Sequence, residues 1–139
     1  MDKFQYNFIQ IEIPDFDPEF FSLWLSDVVG GYNKVVGEVC FIFCTDEYLI
    51  DLNRRHLQHD YFTDIITFNY NTANTISGDL FISYERVIEN SKQFSDNSAY
   101  DELCRVMVHG LLHLVGFDDK TEQEKKLMRE EETKCLIKR

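Results

Sequence analysis

His109 and His113 stand one helical turn apart in an almost unbroken apolar run, Val106 to Val115, and Gly116 follows it. A helix that is apolar nearly all round must be buried nearly all round, so this segment is the centre of any fold the chain adopts. Residues at i and i+4 share a helix face, which sets both imidazoles side by side. Buried there, they need hydrogen-bond partners or a metal ion. The pair alone would suit satisfied core histidines equally well. Gly116 changes the reading, because it can take the left-handed backbone that ends a helix. Asp119 then comes round to close a coordination sphere from a third direction, giving H-x-x-x-H-x-x-G-x-x-D and the metal ligands His109, His113 and Asp119.

Metzincin peptidases use a similar pattern with His in the last place and Glu directly after the first His. Position 110 is Gly here, so the group that would deprotonate water for peptide hydrolysis is missing. Gly110 also leaves room for a strand or a substrate backbone to come close to the helix at the metal.

Around this helix the remaining patterns alternate between strand and helix. Phe4 to Ile13 reads as an opening strand with a bulge near Ile9, and Asp17 with Pro18 starts a helix that Gly30 and Gly31 stop. Val35 to Phe43 is β-branched and aromatic, hence a strand, and Thr45 caps a short helix with Tyr48, Leu49 and Leu52 inward. A polar stretch, residues 54–60, precedes strands at Ile65–Phe68 and Leu80–Ile82, whose link through Asn71 to Thr75 predicts an antiparallel pair. Ser83 caps a helix to about Phe94; Ser98 with Asp101, and Thr121 with Glu124, make capping boxes for the last two helices. The expected fold is α+β, a single domain over residues 1–139, with a mixed sheet of about four strands and a central metal-binding helix, zincin-like.

Cys40, Cys44, Cys104 and Cys135 form no C-x-x-C pair and lie in apolar segments, which predicts buried reduced thiols. No basic-then-apolar leader and no long apolar run occurs, so a cytoplasmic location without a membrane segment is expected. The formal net charge of −11 excludes a general nucleic-acid binder, and acidic runs such as Arg129 to Glu132 read as solvated helix faces.

The chain resembles the YbeY family of bacterial metal-dependent endoribonucleases. Its motif, similar to H-G-x-L-H-L-x-G-Y-D-H, corresponds to His109 through Asp119, with Phe117 for the tyrosine and Asp119 for the last ligand. Leu52 to Phe68 resembles the family's L-N-x-x-Y-R-x-x-D-x-x-T-D-V-L-S-F, and Gly78 to Ser83 its G-D-I-x-I-S. The resemblance implies a cytoplasmic endoribonuclease that cuts single-stranded RNA in 16S rRNA 3′-end maturation and ribosome quality control. Its partners would be rRNA and the small subunit or its proteins, with one Zn²⁺ keeping an open position for water or a phosphate oxygen. A carboxylate in place of the third imidazole makes the bound water less acidic and lets Ni, Co, Mn or Fe compete with zinc. The family's arginine falls on Leu57, so Arg54, Arg55, His56 and His59 are candidates to replace it, His59 first. Asp118 is the candidate to accept a proton or orient a histidine, with Asp64 and Asp79 as further acids in family-like motifs. Lys92, Arg86 and Arg105 are candidates for a basic groove. Two other classes remain: a metal-stabilised ribosome-associated protein that no longer cuts, and a zincin-like hydrolase or peptidase.

Overall fold

The computed structural model describes residues 3–58, 63–94 and 98–139. In order these form β1 (Phe4–Phe8), α1 (Pro18–Gly30), β2 (Val35–Cys44), α2 (Asp46–Leu52), a π-helical turn (Asn53–Leu57), β3 (Ile65–Asn69), β4 (Thr75–Ser83), α3 (Tyr84–Phe94), α4 (Ala99–Val115) and α5 (Glu122–Ile137). The sheet runs β1-β2-β4-β3; the β1–β2 and β2–β4 pairs are parallel and β3–β4 is antiparallel. The expected α+β architecture with a mixed four-stranded sheet is therefore present, and β3 is an edge strand.

Side chains alternate across the sheet and so divide the core in two. Val39, Phe41 and Phe43 of β2, with Ile76, Leu80 and Ile82 of β4, meet Leu25 and Val28 of α1 and Met107 and Leu111 of α4. The opposite parity, Cys44 and Ile66, packs on Leu49 and Leu52 of α2. The histidine helix is thus pressed against the larger core, as its apolar circumference requires. Gly110 lies at the closest approach: a Cβ there would stand 2.5 Å from Ile65 Cδ1 and 3.0 Å from Leu80 Cδ2. Only a residue without a side chain lets β3 and β4 come this near.

Local chemistry sets the helix ends. Asp17 accepts the Phe20 amide at 3.2 Å, and Thr121 and Glu124 form the reciprocal box expected of them. Gly116 (φ 128°) ends α4, with its own N–H and that of Phe117 each 3.0 Å from the Leu112 carbonyl oxygen. Asn71, in the β3–β4 link, donates to the Leu114 carbonyl at 2.7 Å and steadies this end of the helix.

Four expectations need correction. The opening strand stops at Phe8, because Gln10 takes a left-handed φ of 56° and leads the chain out of the sheet; Ile11 and Ile13 pack on the core from a loop. The polar stretch after Asn53 begins as a wide helical turn that Gln58 ends in left-handed geometry, rather than as a loop. Ser98 caps α4 through the Asp101 amide, yet Asp101 gives its carboxylate to Arg139 at 3.1 Å in place of a return bond. Of the four free cysteines, Cys40 is only half-buried, and it takes a hydrogen bond from Asn7.

Helix α5 is held by polar as well as apolar contacts. Trp24 Nε1 donates to the Cys135 carbonyl at 2.9 Å, and Tyr32 OH donates to Glu131 Oε1 at 2.6 Å. That hydroxyl, and then Lys134, hold the Glu131 carboxyl below its usual pKa despite burial. A carboxyl with a depressed folded pKa stabilises the fold above its unfolded pKa, and this is lost as pH falls through the folded value. Tyr32→Phe should therefore cost about 1–2 kcal/mol in urea unfolding at neutral pH. The gap from wild type should close once the solution is acid enough to protonate Glu131 in both proteins. A gap that stayed constant into acid would assign the cost to packing.

Among the described residues, no helix is long and apolar enough to cross a membrane.

Candidate metal centre

The turn after Gly116 brings Asp119 back over the helix face that carries both imidazoles. His109 Nε2 lies 3.2 Å from His113 Nε2 and 3.2 Å from Asp119 Oδ2, and His113 Nε2 lies 3.5 Å from the same oxygen. All three ligand atoms fall within 4.8 Å of one another, so the group could hold a metal ion. Donors at three corners of a tetrahedron, each about 2.0–2.1 Å from a zinc ion, stand about 3.3–3.4 Å apart, which matches these edges. Both rings are mostly shielded, with side-chain exposures of 18% and 23%, while Asp119 is more open at 39%. The donor set, two imidazoles and a carboxylate, suits zinc and the neighbouring divalent metals.

These residues line a cleft of about 500 Å³ with Asn53, Leu57, Thr63, Asp64 and the β3 residues Ile65, Ile66, Thr67 and Asn69. One wall is thus the edge strand β3 and another the histidine helix α4. Asp64 is inside, and its backbone oxygen accepts from Ser83 N at 3.0 Å, which fixes the entry into β3. Burial pushes its carboxyl pKa up, against the opposing pull of Arg105 and His109. Thr63 Oγ1 donates to the Ile65 carbonyl at 3.4 Å.

Behind His109, away from the cleft group, Glu132 Oε2 sits 2.7 Å from Nδ1. Arg105 bridges that carboxylate, at 3.2 Å, to Glu102, which it meets at 3.0 and 2.5 Å. For His109 itself, burial disfavours the charged ring, but Glu132 and then Asp119 and Asp64 more than offset this, and its pKa is raised. Protons and metal ions therefore compete for that ring.

The other residues read from the sequence scatter. His59 lies outside the described residues. Asp118 is exposed and is not among the cleft-lining residues, although its neighbour Asp119 is. Asp79 is not among them either, and its carboxylate lies beside the Tyr70 hydroxyl, whose pKa it helps to raise after burial. Leu57 is in the cleft, 42% exposed, but Arg54, Arg55 and His56 face elsewhere. Arg55 pairs with Asp51 at 2.6 Å, the His56 ring meets the Phe68 ring edge-on, and Arg54 borders Asp46 and Glu85 on another surface. Arg86 is paired with Asp46 at 2.7 Å, Arg105 is engaged by two carboxylates, and Lys92 is exposed on α3. No Lys or Arg lines the cleft among the described residues. The reading of Arg129 to Glu132 as a solvated helix face needs correction, since Glu131 and Glu132 are buried. Sequence reasoning missed Glu132 and Glu102 because the exclusion of water from them comes only with the packing of α5 on α4.

Fold and site together define a class: an α+β domain whose central helix presents a His–His–Asp group that could hold a metal ion to a cleft under an edge strand. The profile of the family described as Endoribonuclease YbeY matches residues 16–138, and the chain belongs to that family. The match reaches well beyond the three motifs, to α1 and α5. Curated relatives named Endoribonuclease YbeY include one from Bacteroides thetaiotaomicron, 45% identical over 130 residues and 93% of each chain. One from Bacteroides fragilis is 47% identical over 130 residues, covering 93% of this chain and 92% of its own. Another, from Christiangramia forsetii, is 49% identical over 110 residues, covering 78% of this chain and 76% of its own. The solution structure of a Thermotoga maritima protein shares the fold, with a TM-score of 0.68 at 24% identity over 96% of this chain and 88% of that one.

Proposed function

We propose that this chain, as one domain over residues 1–139, is a zinc-dependent endoribonuclease that cuts single-stranded RNA in the cytoplasm, in 16S rRNA 3′-end maturation and ribosome quality control. The observation that carries the reading is the His109–His113–Asp119 group opening on a cleft in a chain matched to this endoribonuclease family over most of its length. A divalent ion held there supplies Lewis acidity, lowering the pKa of water and drawing charge from a phosphodiester. Zinc is the ion that the donor set and spacing favour, with Ni, Co, Mn or Fe as substitutes.

The chain's own residues do the rest. Thr67 and Asn69 offer neutral hydrogen-bonding groups along the cleft, and Leu57 and Ile65 offer apolar surface for an unstacked base. Asp64, which lines the cleft, takes or returns a proton at its carboxylate; Asp118 is exposed, and His59 remains on sequence grounds alone the candidate to stand in for the family's arginine. The net charge of −11 opposes a free encounter with RNA, so the small subunit or its proteins supply the approach.

One observation favours a second reading, a ribosome-associated protein that binds metal without cutting: no cation among the described residues lines the cleft. A peptidase is disfavoured, because position 110 is a glycine packed under Ile65 and Leu80. Protein loaded with one equivalent of zinc should cut single-stranded RNA and leave duplex RNA and a peptide pool intact. EDTA should stop the cutting and added zinc restore it. Metal held with nothing cut would select the second reading, and cleaved peptide would overturn both.

A further inference from the structure

We infer that Glu132, on α5, is a positioning residue for the metal centre: its carboxylate accepts a hydrogen bond from the Nδ1–H of His109, holds the proton on that nitrogen, and so keeps the Nε2 lone pair of the ring free for the ion. The inference rests on reading His109, His113 and Asp119 as the metal-holding group.

An ionised carboxylate can only accept a hydrogen bond, so the 2.7 Å contact between Glu132 Oε2 and His109 Nδ1 makes Nδ1 the donor. A neutral imidazole carries one N–H, and its lone pair is then on Nε2. Nε2 is the atom that faces His113 Nε2 and Asp119 Oδ2, each at 3.2 Å. The tautomer selected from behind is the one the front of the site needs. Glu132 stands outside the donor group itself, because its near oxygen is occupied by the opposite edge of the ring.

The carboxylate is also fixed in place. Glu132 is 3% exposed and comes from an element 23 residues along the chain from His109. Its second oxygen receives Arg105 Nη1 at 3.2 Å, and the same guanidinium forks onto Glu102, 6% exposed, at 3.0 and 2.5 Å. Burying two carboxylates costs free energy that one shared cation only partly returns. Oriented acceptors of this kind hold a metal-ligating ring at one angle and raise its basicity.

Zinc affinity read by chelator competition tests this without any RNA. Glu132→Gln keeps the size of the side chain and removes the charge, and should weaken zinc binding about 10–100-fold. Urea unfolding of the zinc-free variant separates this from a loss of packing. A merely structural Glu132 would shift that unfolding midpoint and leave the zinc affinity within about threefold of wild type, which would overturn the inference. Nitrogen-15 shifts of His109 in the zinc-loaded wild type should show Nδ1 protonated. A ring bound through Nδ1, or carrying its proton on Nε2, would overturn it too, and this measurement decides the matter if the variant does not fold. Wild-type protein that takes up no zinc would remove the metal reading and this inference together. Wild type that binds zinc beside an equally tight Glu132→Gln removes only the inference.

Discussion

His113→Ala should bind zinc more than about 100-fold more weakly than wild type, since even an outer partner of a metal ligand is worth about 10–100-fold. On the proposed function the ring supplies one of three donors, and no other described residue joins the group to take its place. RNA cutting should fall to background. The fold should survive, because the ring is 23% exposed and lies at the cleft rather than in the core. A thermal shift assay separates site from fold. At free zinc near 100 times its Kd, wild type gains about 2.7 kcal/mol of stability, whereas the variant at the same zinc concentration gains almost nothing. A variant that still rose with zinc by the wild-type amount would show the ion binding elsewhere, and the His–His–Asp reading would fall.

Arg105→Met should cost about 3–5 kcal/mol in urea unfolding, a large part of the stability of a domain this size. Methionine keeps much of the apolar stem, so the loss reports the guanidinium rather than its packing. Removing it leaves Glu102 and Glu132, with side-chain exposures of 8% and 5%, facing each other without a cation. Arg105→Lys should recover only part of the loss, because an ammonium cannot fork across one carboxylate while reaching a second. A loss below about 1 kcal/mol for the methionine variant would place this cluster among ordinary surface ion pairs.

The histidine helix was legible because burial, ligand spacing and the glycine stop all act within eleven residues, and each has a local physical reason. The caps at Asp17, Thr45 and Thr121 were legible on the same ground, since a side chain bonding an amide three positions on needs no tertiary context. Ser98 shows the limit. Its partner Asp101 has the spacing for a box, but an arginine 38 residues away takes the carboxylate. Ile11 and Ile13 carry the same alternation as a strand and reach the core from a loop, because the backbone at Gln10 turns where no pattern marks it. The wide turn at Asn53–Leu57 has too few inward apolar residues to show a helical period. Asp119 could be placed beside the histidines from spacing alone. Glu132 could not, since a glutamate within a run of three carries no sign of which member is covered; Glu131 and Glu132 are buried while Glu130 is exposed.

That last helix has a mostly solvated surface and would ordinarily exchange its amide hydrogens by fraying, ahead of the core. It is instead tied near its C-terminal half, through Glu132, to the His109 ring of the proposed metal centre. An ion at the centre should therefore slow the opening of a segment that lies outside the donor group, so that α5 amides exchange more slowly in zinc-loaded than in zinc-free protein; equal exchange in the two would show that the tie does not carry loading to the helix.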